Sequence, residues 1–276
     1  MKIFLTGGTG FVGSHFINKA HDAGHEIISL KRRHSKSRID LNKEPEWVYG
    51  NLDDNMSKYF KNCDVVYHLA AHSTNTPYDS LEKCLYWNVN ASLKLMQSAL
   101  DLGIKKFVIA GTGFEYGLSG MKYKYIPINA PLLPTMSYPA SKAAGSIIFH
   151  QWTVENQIKL QYLRFFQVFG EGEDKNRLWP SLKKAAEDGT DFSMTSSEQI
   201  RDFTPVKQVA DELMNAINFV DVIPGEPLYK NIGTGRPCSV REFASKSWEK
   251  FNASGKLLFG EKPYRENEVM RFVPEI

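Results

Sequence analysis

Short apolar runs alternate with longer stretches of helical spacing along the first two thirds of the chain. Residues 2–6, 25–30, 46–50, 64–71, 106–110 and 160–169 read as strands, and the run 64–71 is apolar and β-branched enough for a buried one. Residues 11–23, 81–102 and 141–156 read as helices, the second ending at Gly103, a natural C-terminal cap. This alternation predicts an α/β fold, a doubly wound parallel sheet with helices on both faces. The pattern breaks after Gly170. The segment 171–201 is charged, with one helical stretch at 180–188; helices follow at 206–220 and 240–251, and a short strand at 229–232. Two interleaved parts are expected: a sheet domain of residues 1–169 plus 203–235, and a smaller C-terminal lobe of residues 170–202 plus 236–276. No repeat or low-complexity stretch interrupts them.

The first strand meets the first helix through Thr6-Gly7-Gly8-Thr9-Gly10-Phe11-Val12-Gly13. Gly7 suits a tight turn with positive φ, Gly10 lets the backbone approach a ligand, and Gly13 permits close helix packing. The helix N-terminus then offers free N–H donors and partial positive charge. A glycine string alone is weak evidence. Between a strand and a helix, at the start of an alternating α/β chain, it points to a cradle for a dinucleotide pyrophosphate. An acidic residue at the end of the second strand would accept from the adenosine ribose 2′-OH. The chain has Lys31-Arg32-Arg33 there instead, three cations suited to a 2′-phosphate. NADP(H) is therefore favoured over NAD(H), with a solvated basic loop as the plain alternative.

Tyr138 and Lys142 stand four apart on a helical stretch and so share a face. That spacing carries no weight by itself, because a chain with 12 tyrosines produces such pairs by chance. Position is informative: the pair follows the strand 106–110, beyond which comes Thr112, and open parallel sheets bind ligands at the C-terminal ends of their strands.

Seven motifs, in order, carry a resemblance: TGGTGFVG (6–13), HLAA (68–71), NVNAS (88–92), GTGFEYG (111–117), YPASK (138–142), LRFFQVFG (163–170) and RDFTPV (201–206). Together they resemble the extended short-chain dehydrogenase/reductase family, also called the NAD-dependent epimerase/dehydratase family, which has a Rossmann-type sheet and a smaller substrate lobe. The resemblance implies that Tyr138 is the general acid or base at a reacting carbonyl, that Lys142 stabilises the tyrosinate and holds the nicotinamide ribose, and that Thr112 donates to the carbonyl oxygen. A tyrosine needs its pKa of ~10 brought toward neutrality for that task. It further implies that Gly7, Thr9, Gly10, Phe11, Val12, Gly13, Leu69, Ala70 and Ala71 line the dinucleotide, that Asn88 steadies the site, and that Asn51 and Leu52 hold the adenine. Asn51 departs from the family, which usually has Asp. His68 reads better as a packed strand histidine than as a catalyst.

The same resemblance narrows the reaction. Sugar-nucleotide dehydratases of the family carry an Asp-Glu pair directly after the threonine, where this chain has Gly113 and Phe114. Glu115 comes one residue later and would point away from the site if the segment were extended. Arg177, Arg201 and Arg265 stand where nucleotide-sugar members clamp a diphosphate, Gln167 where the family usually has Asn, and Glu268 where a nucleotide ribose would be met. With His72 they form the implied substrate side, and Ser73, Thr74 and Phe114 shape the pocket. The chain looks most like CDP- or dTDP-4-keto-6-deoxyhexose reductases of the abequose, paratose and fucose synthase kind. An epimerase with tightly held NAD(P) is the alternative, and a non-catalytic dinucleotide sensor a more distant one. A homodimer through the helices at 81–102 and 141–156 is implied as well.

Composition adds exclusions. A net charge of +3 over 276 residues gives no push toward nucleic acid. The longest apolar runs fall below the ~18 residues of a membrane helix, and a strand-like run at the very start leaves no expectation of a signal peptide. Cys63, Cys84 and Cys238 match no metal spacing and suit a reducing cytoplasm.

Overall fold

The computed structural model describes residues 1–265 and 268–276. The chain begins with β1 (Lys2–Thr6), α1 (Phe11–Asp22), β2 (Glu26–Lys31), β3 (Glu46–Tyr49), the single turn α2 (Ser57–Phe60) and β4 (Val65–His68). There follow α3 (Leu81–Leu85), a π-helical turn (Tyr86–Ala91), α4 (Ser92–Asp101), β5 (Lys106–Thr112), a 3₁₀ turn (Gly113–Tyr116), α5 (Ser137–Asn156) and β6 (Lys159–Phe165). The later part holds β7 (Gln167–Phe169), α6 (Leu178–Asp188), β8 (Phe192–Met194), β9 (Ile200–Arg201), β10 (Phe203–Pro205), α7 (Val206–Asn215), β11 (Leu228–Ile232), β12 (Cys238–Ser239), α8 (Val240–Lys250), β13 (Leu257–Phe259) and β14 (Arg271–Phe272).

Seven strands form one sheet in the order β11-β6-β5-β4-β1-β2-β3, and every neighbouring pair is parallel. The order reverses between β1 and β4, the switch point at which such sheets open a crevice beyond their C-terminal edges. Two apolar layers bury the sheet. Phe4, Val66, Phe107, Ile109 and Leu160 pack with Leu95, Met96, Phe149 and Trp152 on one face. Ile3, Leu5, Val65, Val108 and Leu163 pack with Phe16, Ile17, Val209 and Leu213 on the other. Alternate residues of each strand thus feed opposite layers, which is why these strands read as unbroken apolar runs rather than as alternating ones. The remaining strands make small sheets of two or three, and α6 packs on α8 around Leu182, Ala244 and Trp248.

The structure revises several boundaries. The run 160–169 is two strands: β6 ends at Phe165, and β7 leaves to pair with β10. The stretch 81–102 is not one α-helix, because its middle turn is π-helical. Helix α5 begins at Ser137, so Tyr138 lies in its first turn. The segment after Thr112 coils into a 3₁₀ turn instead of extending, which redirects Glu115 inward. Short strands such as β8, β9 and β12 carry too few residues to show a period in the sequence.

Candidate active site

A cleft of about 540 Å³ runs along the C-terminal edge of the sheet. One side of it is the turn between β1 and α1. Gly7 has φ +77°, and a Cβ there would sit 2.6 Å from the backbone of Leu69 and Ala70; a Cβ on Gly13 would overlap the Gly7 carbonyl. Any side chain at either position would therefore displace the turn. The Gly10 amide donates to the Gly7 carbonyl (2.9 Å), so the loop is already closed into a cradle below the start of α1. These features fit a pyrophosphate. Thr9, Gly10, Phe11, Val12, Leu69, Ala70 and Ala71 line the same cleft, as do Asn51 and Leu52 at its far end.

The cations after β2 are divided by the structure. Lys31 and Arg32 line the cleft, whereas Arg33 does not. The Lys31 ammonium lies over the ring of Trp47, 4.4 Å from its centre. Ser35 and Arg38, absent from the sequence reading, line the cleft as well. Arg38 lies 3.6 Å from Asp174, so the loop after β2 meets the loop before α6 across the cleft.

Thr112 and Tyr138 come to the cleft from β5 and α5, and Phe114 borders it. Lys142, one turn behind Tyr138, is only 3% exposed. Burial pulls its ammonium down to about 8, against the opposing charge of Glu115. Tyr138 does not show the lowered pKa its expected role requires. Burial, followed by Glu115 and Tyr78, pushes it well above the ordinary phenol value, with Arg177 opposing. The physical reason is that burial disfavours the charged tyrosinate and the Glu115 carboxylate disfavours it further.

Asn88 sits in the π-helical turn, buried, accepting from the His72 amide (2.7 Å) and donating to Ser141 Oγ (2.9 Å). It ties the loop after β4 to α5 rather than facing the cleft. His72 lines the cleft, but its Nε2 lies 3.1 Å from Asp79. His68 is fully packed: its Nδ1 meets Thr6 Oγ1 at 2.8 Å, and burial lowers it to about 3, so it is a neutral structural side chain.

The expected substrate residues fall into two groups. Arg177 lines the main cleft, 3.6 Å from Glu173. Arg177 and Arg265 both lower the Tyr78 hydroxyl against its burial, and the Tyr78 ring lies 5.4 Å from that of Tyr138. Gln167 and Arg201 line a small recess beside the cleft, with Gly113 and Phe272, and the recess shares Phe114, Phe165 and Phe166 with the cleft. Arg201 Nη2 is 2.8 Å from Glu268 Oε1, so the two residues assigned to different parts of a nucleotide instead hold each other. Glu173 is a buried side chain that the sequence reading missed, raised by burial to about 7.

Residues 3–233 match the model of the NAD dependent epimerase/dehydratase family. The chain belongs to that family. Similar family proteins include a putative UDP-glucose 4-epimerase of Methanocaldococcus jannaschii, 28% identical over 99% of this chain and 90% of that protein. A dTDP-6-deoxy-L-talose 4-dehydrogenase (NAD(+)) of Aggregatibacter actinomycetemcomitans is 24% identical and is matched over 98% of both chains. Among solved structures, the UDP-glucose 4-epimerase of Thermotoga maritima with UDP-glucose superposes with a TM-score of 0.87 at 24% identity, over 100% of this chain and 90% of that one. The family is one of NAD-dependent nucleotide-sugar epimerases, dehydratases and dehydrogenases. No helix among the described residues is long and apolar enough to cross a membrane.

Proposed function

We propose that the protein reduces the 4-keto group of a nucleotide-linked 4-keto-6-deoxyhexose, a CDP- or dTDP-sugar, with NADPH as the favoured cofactor. The observation that carries this reading is the cationic stretch from the end of β2 onward: Lys31, Arg32 and Arg38 line the cleft, and the end of β2 carries Lys31 where an acidic residue would take a ribose 2′-OH, the Asp174 carboxylate facing Arg38 from the loop before α6 instead. A bound nicotinamide would supply the hydride. Residues of the Gly7–Gly13 turn, with Leu69, Ala70 and Ala71, would hold the dinucleotide. Thr112 would donate to the sugar carbonyl oxygen, and Tyr138 would protonate it, with Lys142 behind. Arg177 and Arg265 would face the diphosphate. In this reading residues 1–169 plus 203–235 bind the cofactor, and residues 170–202 plus 236–276 the sugar.

Water elimination is disfavoured by the residues after Thr112. Gly113 and Phe114 stand where the family's dehydratases carry their acid–base pair, and a Cβ at Gly113 would meet the Phe166 ring at 3.0 Å, so a larger residue there requires that ring to shift. Epimerisation is the second reading, supported by the similar epimerases, and the NAD(+) in the talose dehydrogenase's name speaks for NAD. The deciding experiment incubates the enzyme with NADPH or NADH and with CDP-, dTDP-, GDP- and UDP-linked 4-keto-6-deoxy sugars. Stoichiometric NADPH consumption, lost in Tyr138→Phe, is expected. An isomerised sugar with no net NADPH loss would establish the epimerase instead. A homodimer is also proposed, since Leu81, Tyr86, Ile147 and Ile148 expose apolar surface on the packed α3–α5 region. The three free cysteines fit a cytoplasmic location.

A further inference from the structure

Behind the cleft wall lies a buried ion pair that the proposed chemistry does not use. Glu115 is 0% exposed, and its Oε2 is 2.8 Å from Nε of Arg164, which is itself buried near the C-terminal end of β6. An ion pair withdrawn from water is costly to build and weak as a source of stability. Its hydrogen bonds show where it acts. Glu115 Oε1 accepts from the backbone amide of Thr112 at 2.8 Å. The same oxygen lies 3.0 Å from the Tyr162 hydroxyl, which is also 3.1 Å from the carbonyl oxygen of Lys142. The single Tyr162 proton is shared between these two acceptors, so the link from the end of β5 to the first turns of α5 runs through a bifurcated bond of Tyr162. The approach is close enough to require Gly111: a Cβ there would sit 2.8 Å from Glu115 Oε1.

We infer that Glu115 is a positioning residue: paired with Arg164, it fixes Thr112 and Lys142 relative to each other and sets the local charge they feel. Arg164 is braced in turn. It donates to the Tyr116 hydroxyl (3.1 Å), and the rings of Tyr116 and Tyr229 each lie 5.0 Å from its guanidinium carbon. The groups that face this carboxylate are Arg164 and Tyr162 from β6, Tyr229 from β11, Tyr116 from its own turn, and Tyr138 and Lys142 from α5. His68 from β4 stands beside Lys142 and is neutral. Glu115 opposes the fall of the Lys142 ammonium caused by burial. Without it Lys142 loses its proton at lower pH.

The kinetic part of the test rests on the proposed enzyme activity, and the spectroscopic part does not. Glu115→Gln keeps an oxygen acceptor but strands the Arg164 charge, so the double variant Glu115→Gln with Arg164→Met and the milder Tyr162→Phe are made beside it. Cooperative thermal unfolding selects the folded variants. In the double variant Thr112 amide exchange should quicken, and the Lys142 midpoint, followed by carbon-13 lysine NMR, should move below about 8. With substrate, kcat should fall by about tenfold or more while KM changes by less than about twofold, and Tyr162→Phe should show a smaller loss of the same kind. A folded double variant with unchanged Thr112 exchange and an unchanged Lys142 midpoint would overturn the proposal, as would a rise in KM alone. If the unaltered enzyme turns over no nucleotide sugar, the proposed function fails, and the NMR arms still decide the role of Glu115.

Discussion

The two ends of the cleft are built in different ways. The dinucleotide end is a backbone feature: the turn from Gly7 to Gly13 is closed by the Gly10 amide on the Gly7 carbonyl and wedged against Leu69 and Ala70. The sugar end is a side-chain feature. Arg177 leans on Glu173 and Arg201 on Glu268, each arginine held by a carboxylate rather than aimed freely into space. A backbone cradle is preorganised at folding, whereas paired arginines must exchange partners when an anionic ligand arrives. On the proposed reading, the first end would set affinity with little reorganisation, and the second would make specificity depend on the difference between two ion pairs.

The largest effect should come where the two ends meet. Tyr138→Phe should lower kcat by ~10²–10⁴-fold while leaving dinucleotide binding in place, as followed by NADPH fluorescence. At the cradle, Gly7→Ala places a side chain at φ +77° and against backbone atoms. Strain of ~1–3 kcal/mol is expected, and dinucleotide affinity should weaken about tenfold or more in a binding titration. An unchanged affinity would dissolve the contrast between a rigid and an adaptable end. Arg38→Glu should lower the preference for NADPH over NADH by about tenfold, read as a ratio of kcat/KM values. At the sugar end, Arg201→Ala should raise KM for the nucleotide sugar by about fivefold, whereas Glu268→Gln, which frees Arg201, should not raise it. If both raise KM equally, the pair is a structural strut and not a reserve of charge.

The smallest effect is on stability. Burial holds Lys142 at about 8 in the folded state, below the ordinary lysine value of 10.5. The unfolded chain therefore binds more protons between those values, and stability attributable to this group rises as pH increases through that window. It is lost again as pH falls through about 8. Denaturant unfolding of the unaltered protein and of Lys142→Met, compared at several pH values from neutral upward, should show the gap between them narrowing with pH.

The same division decides how much could be read from the sequence. The cradle was legible because its cause is local: glycines at fixed offsets between a strand and a helix. The sheet was legible because its strands are buried on both faces and bounded by caps such as Gly103. The π-helical turn was not, since residues 81–102 keep helical spacing on either side of it. Glu115 stays out of the cleft as expected, but not by an extended continuation of β5: a 3₁₀ turn rotates it into the core, where its ion pair was not foreseen. One signal could have shown it. Arg164 stands between the apolar Leu163 and Phe165, and a buried cation there requires an acidic partner. Arg38 escaped notice because its place in the cleft depends on how the loop after β2 folds back. The Arg201–Glu268 pair joins residues 67 apart, which no local pattern announces.

The π-helical turn at Tyr86–Ala91 has a consequence for how the protein tolerates change in length. Such a turn is an α-helix carrying one surplus residue, and Ser92 Oγ donating to the Trp87 carbonyl at 2.8 Å marks the widened loop. Removing one residue there would let α3 and α4 run on as a continuous helix, with Leu95, Met96 and Ala99 keeping their seats in the core. Asn88 would lose its angle toward His72 and Ser141. A shortened chain could thus melt like the parent and still have its loop after β4 adrift from α5, so that chain length at this one point is a tuning screw for the site and nearly invisible to the fold.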